Sequence, residues 1–203
     1  MNNSSPRILL IGCGAIAQEL LDLQRCNGWA HIKLQCLPAG LHNTPEKIPD
    51  AVGALVEKWQ SHYEQILVAY ADCGTGGLLD AKLDEYGIER LPGAHCYEFF
   101  SGSEVFDGFL TEEIGTYYLT DFLVRHFDRL IKAGLGLDVH PELLPVYFSN
   151  YKRVMYLAQT RSQNLSLLAR EHAEYLGLDY CEHYTGLAPL GRALTAESIL
   201  VQS

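Results

Sequence analysis

Four short apolar runs in this chain each give way to a loop at or beside a cysteine, and that rhythm restricts the fold more than any other feature. The runs and their endings are Ile8-Leu9-Leu10-Ile11-Gly12-Cys13, Ile32-Lys33-Leu34-Gln35-Cys36, Ile66-Leu67-Val68-Ala69-Tyr70-Ala71-Asp72-Cys73 and Leu91-Pro92-Gly93-Ala94-His95-Cys96. Segments of helical length separate them. Strands that alternate with helix-length connections predict an α/β protein: a three-layer, Rossmann-like arrangement with a mostly parallel twisted sheet and helices on both faces. Ligands of such sheets bind outside the carboxyl ends of the strands. Thiols from distant parts of the chain are therefore expected along one edge.

The local signals give the following order. A strand over 7–11 enters the turn Gly12-Cys13-Gly14-Ala15-Ile16-Ala17, and a helix follows to about Arg25, stopped near Asn27-Gly28. A second strand, 31–37, runs into the turn-rich stretch Pro38 to Pro45, with Thr44 expected as an N-cap and Pro45 at a first helical position. The next helix extends to about Tyr63. The third strand, 65–71, is apolar throughout, as a sheet covered on both faces requires. A short fourth strand is expected over 89–91. Residues 101–135 are read as helical and aromatic, with Tyr117, Tyr118, Phe122 and Phe127 as packing residues. A last β/α unit comprises a strand over 152–157, a helix over 162–176 and a strand over 178–182. We therefore expect one α/β domain over 1–203 with a helical insertion at about 101–150.

Composition excludes several classes of partner. A formal net charge of −10 with no basic stripe argues against nucleic acid, whose phosphates need clustered Lys and Arg. No run approaches the ~20 apolar residues of a membrane helix, and the first residues carry no secretory pattern. A cytoplasmic protein with reduced thiols is expected, and cysteines at loop starts then point to metal ligation or reactivity before disulfides.

Three motifs carry chemistry. Gly12-Cys13-Gly14-Ala15-Ile16-Ala17 has the G-x-G-x-x-A form of a dinucleotide turn in the right strand-to-helix position. The acidic residue that would bind an NAD ribose is replaced by Gln35-Cys36. NAD(P), S-adenosylmethionine and a purely structural turn all stay open for Gly12 and Gly14. In Asp72-Cys73-Gly74-Thr75-Gly76-Gly77, the amides of Gly74, Gly76 and Gly77 are candidates to grip an anionic group, and Cys73 beside them is expected to favour its thiolate. His95-Cys96 follows a rigid Pro92-Gly93, and His42 lies in the loop after the second strand. Imidazole and thiolate together suit zinc; three protein ligands with an open position mark a catalytic site. His42 and Cys73 with either His95 or Cys96 would make such a set; His42, Cys73 and His95 are taken as the ligands, with Cys96 as a fourth ligand or catalytic thiol and Asp72 as a catalytic acid–base group. Glu98 and Tyr97 flank the same loops. Glu112 and Glu113 are read at a helix start, and Tyr151-Lys152-Arg153 as a local positive spot. His140-Pro141-Glu142 and Cys181-Glu182-His183 are ligand-capable but are as well explained as exposed loop residues.

The segments His42-Asn43-Thr44-Pro45-Glu46-Lys47-Ile48, Tyr70-Ala71-Asp72-Cys73-Gly74-Thr75-Gly76, Pro92-Gly93-Ala94-His95-Cys96 and Tyr151-Lys152-Arg153-Val154-Met155-Tyr156 resemble, in order, the landmarks of the domain-of-unknown-function family DUF1638. The resemblance implies an accessory or catalytic protein near corrinoid-dependent methyl-transfer systems, in methylated-amine and one-carbon metabolism. A zinc–thiolate site would suit that company, because zinc lowers a thiol's pKa and readies it for alkyl transfer. The leading expectation is a zinc enzyme acting on a small, anionic molecule. The alternatives are a nucleotide-cofactor enzyme built on the first glycine turn, and a non-enzymatic metal or corrinoid accessory with a methyltransferase partner. Self-association into a homo-oligomer is left open.

Overall fold

The computed structural model describes residues 7–196. Six strands, all paired in parallel, form two three-stranded sheets in the orders β2-β1-β3 and β4-β5-β6. The α/β class with parallel strands is what the alternation of runs implied. Contacts divide the described residues into two compact units: those through Cys96 together with 191–196, and Tyr97–Leu190. Among the described residues, no helix is long and apolar enough to cross a membrane.

In the first unit β1 (Ile8–Cys13) lies between β2 (Ile32–Leu37) and β3 (Gln65–Ala69), and every residue of β1 is buried. A strand covered on both faces can be apolar at every position, which is why the alternation of a half-exposed strand is missing here. The register sets Gly12 opposite both Cys36 and Ala69, so the three carboxyl ends are level. Helix α1 (Ala17–Asn27) stops at Gly28, whose φ of 65° is the left-handed cap conformation that glycine adopts without strain. Helix α2 (Ile48–Trp59) buries Ile48, Val52 and Val56, one residue per turn. Thr44 makes no side-chain cap; Pro45 starts a short 3-10 turn, Pro45–Lys47, ahead of α2. Helix α3 (Leu78–Asp84) follows the glycine loop. The expected strand over 89–91 is reduced to a single bridge, Val68 with Arg90, because Pro92 and Gly93 end the pairing at once.

In the second unit β4 (Thr116–Thr120), β5 (Arg153–Ala158) and β6 (Asp179–Tyr184) form the other sheet, with β5 central and wholly buried. β4 corrects the reading of 101–135 as helical. Thr116-Tyr117-Tyr118-Leu119-Thr120 is a β-branched and aromatic run, and its sheet preference prevails over the helical spacing of the surrounding aromatics. Helices α4 (Cys96–Ser101) and α5 (Ser103–Glu112) precede it, and α6 (Asp121–Arg125) and α7 (Leu144–Phe148) follow. Glu112 therefore ends a helix, and it pairs at 2.7 Å with Arg153. Arg153 is buried and also donates to the Thr116 hydroxyl at 2.9 Å, so it is not available as a positive surface spot. Helix α8 (Gln163–Leu176) is capped by the Ser162 hydroxyl, and α9 (Ala188–Ala196) closes the described chain. Tyr118 and Phe127 are core residues, as expected of them. At the end of β4 the Asp121 carboxylate, 3% exposed, accepts from the Tyr156 hydroxyl at 2.7 Å, Gln159 N at 3.0 Å, Thr160 N at 3.1 Å and Thr160 Oγ1 at 2.6 Å. Four donors compensate the burial of one charge.

Candidate metal centre

The site is built where β1, β2 and β3 end. Cys13 is the last residue of β1, Cys36 lies near the end of β2, and Cys73 follows β3 by a few residues. The loop carrying Cys73 is shaped by its own carboxylate: Asp72 accepts from Thr75 Oγ1 at 2.7 Å, Gly77 N at 2.8 Å and Gly76 N at 3.1 Å. Its backbone is tied to the next loop by Asp72 N–H donating to Gly93 O at 3.1 Å and Cys73 N–H donating to Ala94 O at 3.0 Å. Arg90 holds that second loop, donating to Leu91 O at 2.9 Å and Gly93 O at 3.1 Å while it bonds Asp80. Between these ties Cys73 adopts φ 50°, the only positive φ of a non-glycine among the described residues. A strained backbone of this kind costs on the order of 1–3 kcal/mol and is held only where the surroundings over-determine it.

His42, Cys73 and Cys96 each place one ligand atom within 4.8 Å of the other two. Tetrahedral zinc with Zn–S near 2.3 Å and Zn–N near 2.0–2.1 Å needs ligand atoms roughly 3.5–3.8 Å apart, so small side-chain movements close the set on an ion. His42 is oriented from behind. Its Nδ1 lies 3.2 Å from Ala39 O and 3.6 Å from Cys13 Sγ. A carbonyl can only accept, so Nδ1 carries a hydrogen whatever the ring's charge, and the variable position is Nε2. That atom is sealed from solvent with no hydrogen-bond partner. A buried ring nitrogen left without a partner costs energy, an ion in place of its proton would relieve that cost, and a backbone carbonyl behind Nδ1 is how metal-binding histidines are commonly set.

The electrostatics of the three groups are complementary. Hydrogen bonding from Cys96 outweighs burial and, with His42 adjacent, holds the Cys73 thiol well below its ordinary range. Cys96 is pushed above the thiol range by donating to Cys73 and by burial. Burial opposes a charged His42, but the sulfurs of Cys13 and Cys73 more than offset it and raise the ring to about 10. These directions favour a Cys73 thiolate beside a protonated His42. Burial pushes Cys36 up to about 11 and also raises Tyr70, whose hydroxyl is enclosed near Cys13, Cys73 and Cys36.

A family model described as "Protein of unknown function (DUF1638)" matches residues 36–194. The chain belongs to the DUF1638 family. No curated protein and no solved structure matches it. The DUF1638 match takes in His42, Cys73 and Cys96, whereas Cys13 precedes it.

The structure brings together some of the site residues expected in this DUF1638 chain and separates others. His95 is exposed in the loop, and Cys96, 9% exposed as the first residue of α4, takes its place in the converging group. Adjacent side chains at the start of a helix diverge, so one of the pair turns inward and the other outward. Asp72 is a loop-folding carboxylate that accepts from Thr75, Gly76 and Gly77. The amides of Gly76 and Gly77 are therefore taken by the protein itself and do not cradle an anion. Cys73 is a favoured thiolate as expected, but through Cys96 and His42 and not through those amides. At Gly12 an added Cβ would sit 2.7 Å from Leu20 Cδ1, and at Gly14 it would sit 2.9 Å from Leu37 O. Close packing within the chain accounts for both glycines without a nucleotide. Sequence reasoning left Cys13 and Tyr70 out of the site. Their position at strand ends was the available signal, the same one that selected Cys73.

Proposed function

We propose that this DUF1638 protein is a zinc-dependent enzyme that acts on a small molecule in methyl-group or amine metabolism, with His42, Cys73 and Cys96 as its metal ligands. The observation that carries the reading is the buried, partnerless Nε2 of His42 in the group that also brings two sulfurs within 4.8 Å. Two thiolates and one imidazole form a borderline-soft donor set suited to zinc, and three protein ligands leave the fourth position for a substrate. When bound, zinc would lower the pKa of a substrate thiol or water at that position.

The chain's own residues do the rest. Ala39 O and Cys13 fix the imidazole plane. With an ion bound, Cys73 and Cys96 would supply negative charge from a loop and a helix start that Arg90 and the backbone bonds between 72–73 and 93–94 hold still. Alkyl transfer to sulfur is the chemistry such a centre favours, and the family resemblance supports a methyltransferase or corrinoid protein as its partner. Elemental analysis of protein purified without added ions tests the assignment: near-stoichiometric zinc supports it. Less than about a tenth of an equivalent of any transition metal, with folding unchanged, overturns it. That outcome would favour a metal-free thiolate–imidazolium site, for which the depressed Cys73 and elevated His42 are the specific observations.

A further inference from the structure

Cys73 and Cys96 are more than two donors of one set. Their sulfurs lie within 4.8 Å of each other, and both the S–H and the N–H of Cys96 bond to the Cys73 sulfur. Hydrogen bonds are exchanged between thiols only when they are already oriented toward one another. Another nearby thiol, Cys13, is engaged instead with His42 Nδ1 and the amide of Ala15 at 3.3 Å. Cys73 is 7% exposed and sits on a backbone tied by bonds from residues 72 and 73 to residues 93 and 94, the loop that leads into Cys96. The two cysteines are thus held as a pair by the main chain itself.

We infer that Cys73 and Cys96 form a reversible, peroxide-driven disulfide that takes apart the metal centre. The Cys73 thiolate attacks one oxygen of a hydroperoxide; the S–O bond forms, the O–O bond breaks, and the departing oxygen leaves as water or an alcohol after taking a proton. Cys96 then attacks the Cys73 sulfur. The S–S bond forms, the S–OH bond breaks, and the hydroxide leaves as water with the proton of Cys96. Two thiols are oxidised and one peroxide is reduced. The product has neither thiolate, so only His42 would remain to hold an ion. The inference rests on the proposed function for ion release alone; the thiol chemistry stands on the sulfur geometry.

The experiment treats ion-free and zinc-loaded protein with hydrogen peroxide, then reads intact mass, peptide maps and free zinc with a chromophoric chelator. The expected result is a loss of two hydrogens, a cross-linked peptide pair containing residues 73 and 96, zinc release in step, and recovery with a dithiol. Cys181→Ser, on β6, should behave as wild type. In Cys96→Ser the cross-link should fall by roughly tenfold or more while Cys73 gains oxygen. If that variant does not fold, Cys73→Ser serves, in which Cys96 should stay reduced. Wild-type thiols that survive peroxide in both preparations would overturn the inference, as would Cys73 cross-linked to Cys13 or carrying added oxygen. A protein that never binds zinc but forms the 73–96 cross-link overturns only the metal assignment.

Discussion

The most discriminating perturbation compares neighbours: Cys96→Ser against His95→Ala. Zinc bound by four ligands in small domains contributes about 10–16 kcal/mol, or about 3 kcal/mol per ligand. A serine hydroxyl keeps the shape of Cys96 but does not ionise, so the variant should lose about that share. At 1.4 kcal/mol per decade the dissociation constant rises about a hundredfold. At a free zinc concentration that saturates wild type, metal-induced stabilisation then falls by about 2.7 kcal/mol, roughly 5–10 °C in Tm for a chain of this length. His95 is exposed and outside the converging group; its removal should leave affinity within about threefold, as surface substitutions usually do. Competition titration against a chromophoric chelator, with thermal melts in parallel, reads both quantities. Near-wild-type affinity in Cys96→Ser, or an equal loss in His95→Ala, would refute the assignment of Cys96 as the inward-facing ligand.

Affinity should also depend steeply on pH. His42 keeps its proton up to about 10 and Cys96 sits above the thiol range, while Cys73 has already lost its own. Binding near neutrality thus releases two protons, so rising pH tightens it by about a hundredfold per unit between roughly pH 6.5 and 8; a flat profile in the same titration contradicts the ligand set. Gly14→Ala, whose Cβ meets the backbone oxygen of Leu37 at 2.9 Å, should destabilise the ligand-free protein by about 1–3 kcal/mol in denaturant melts. Wild type should show no thermal shift with NAD(H), NADP(H) or S-adenosylmethionine; a shift in wild type that the variant abolishes would restore a nucleotide role. Asp121→Asn turns an amide toward Thr160 N–H in place of a carboxylate oxygen. Two charge-assisted bonds are weakened or lost, about 3 kcal/mol, or roughly 6–12 °C in calorimetry; a change under 2 °C, read at about that scale, would mean that the network is dispensable.

What was legible in the sequence was the sheet edge. The uninterrupted apolar runs of β1 and β3, each followed by glycines and a cysteine, placed Cys13, Cys36 and Cys73 at strand ends, because a parallel strand buried on both faces leaves no other reading. His42 followed from the turn formers after β2. The direction of a side chain within a loop was not legible: His95 and Cys96 are equally good ligands by type, and only the start of α4 decides which turns inward. Nor did the pattern reveal that Asp72 would occupy the glycine amides, since a carboxylate four and five residues before them reads equally well as an acid–base group. β4 was hidden because Tyr117 and Tyr118 lie among aromatics spaced like a helix, and pairing with β5, which no local window contains, settles its state.

The left-handed twist at residue 73 has an evolutionary corollary. The one substitution that relaxes that backbone freely is glycine, and glycine removes the sulfur. Most other exchanges keep the twist and forfeit the sulfur as well. Position 73 should therefore be occupied across relatives chiefly in two ways: cysteine in lineages that retain the centre, and glycine in those that have abandoned it.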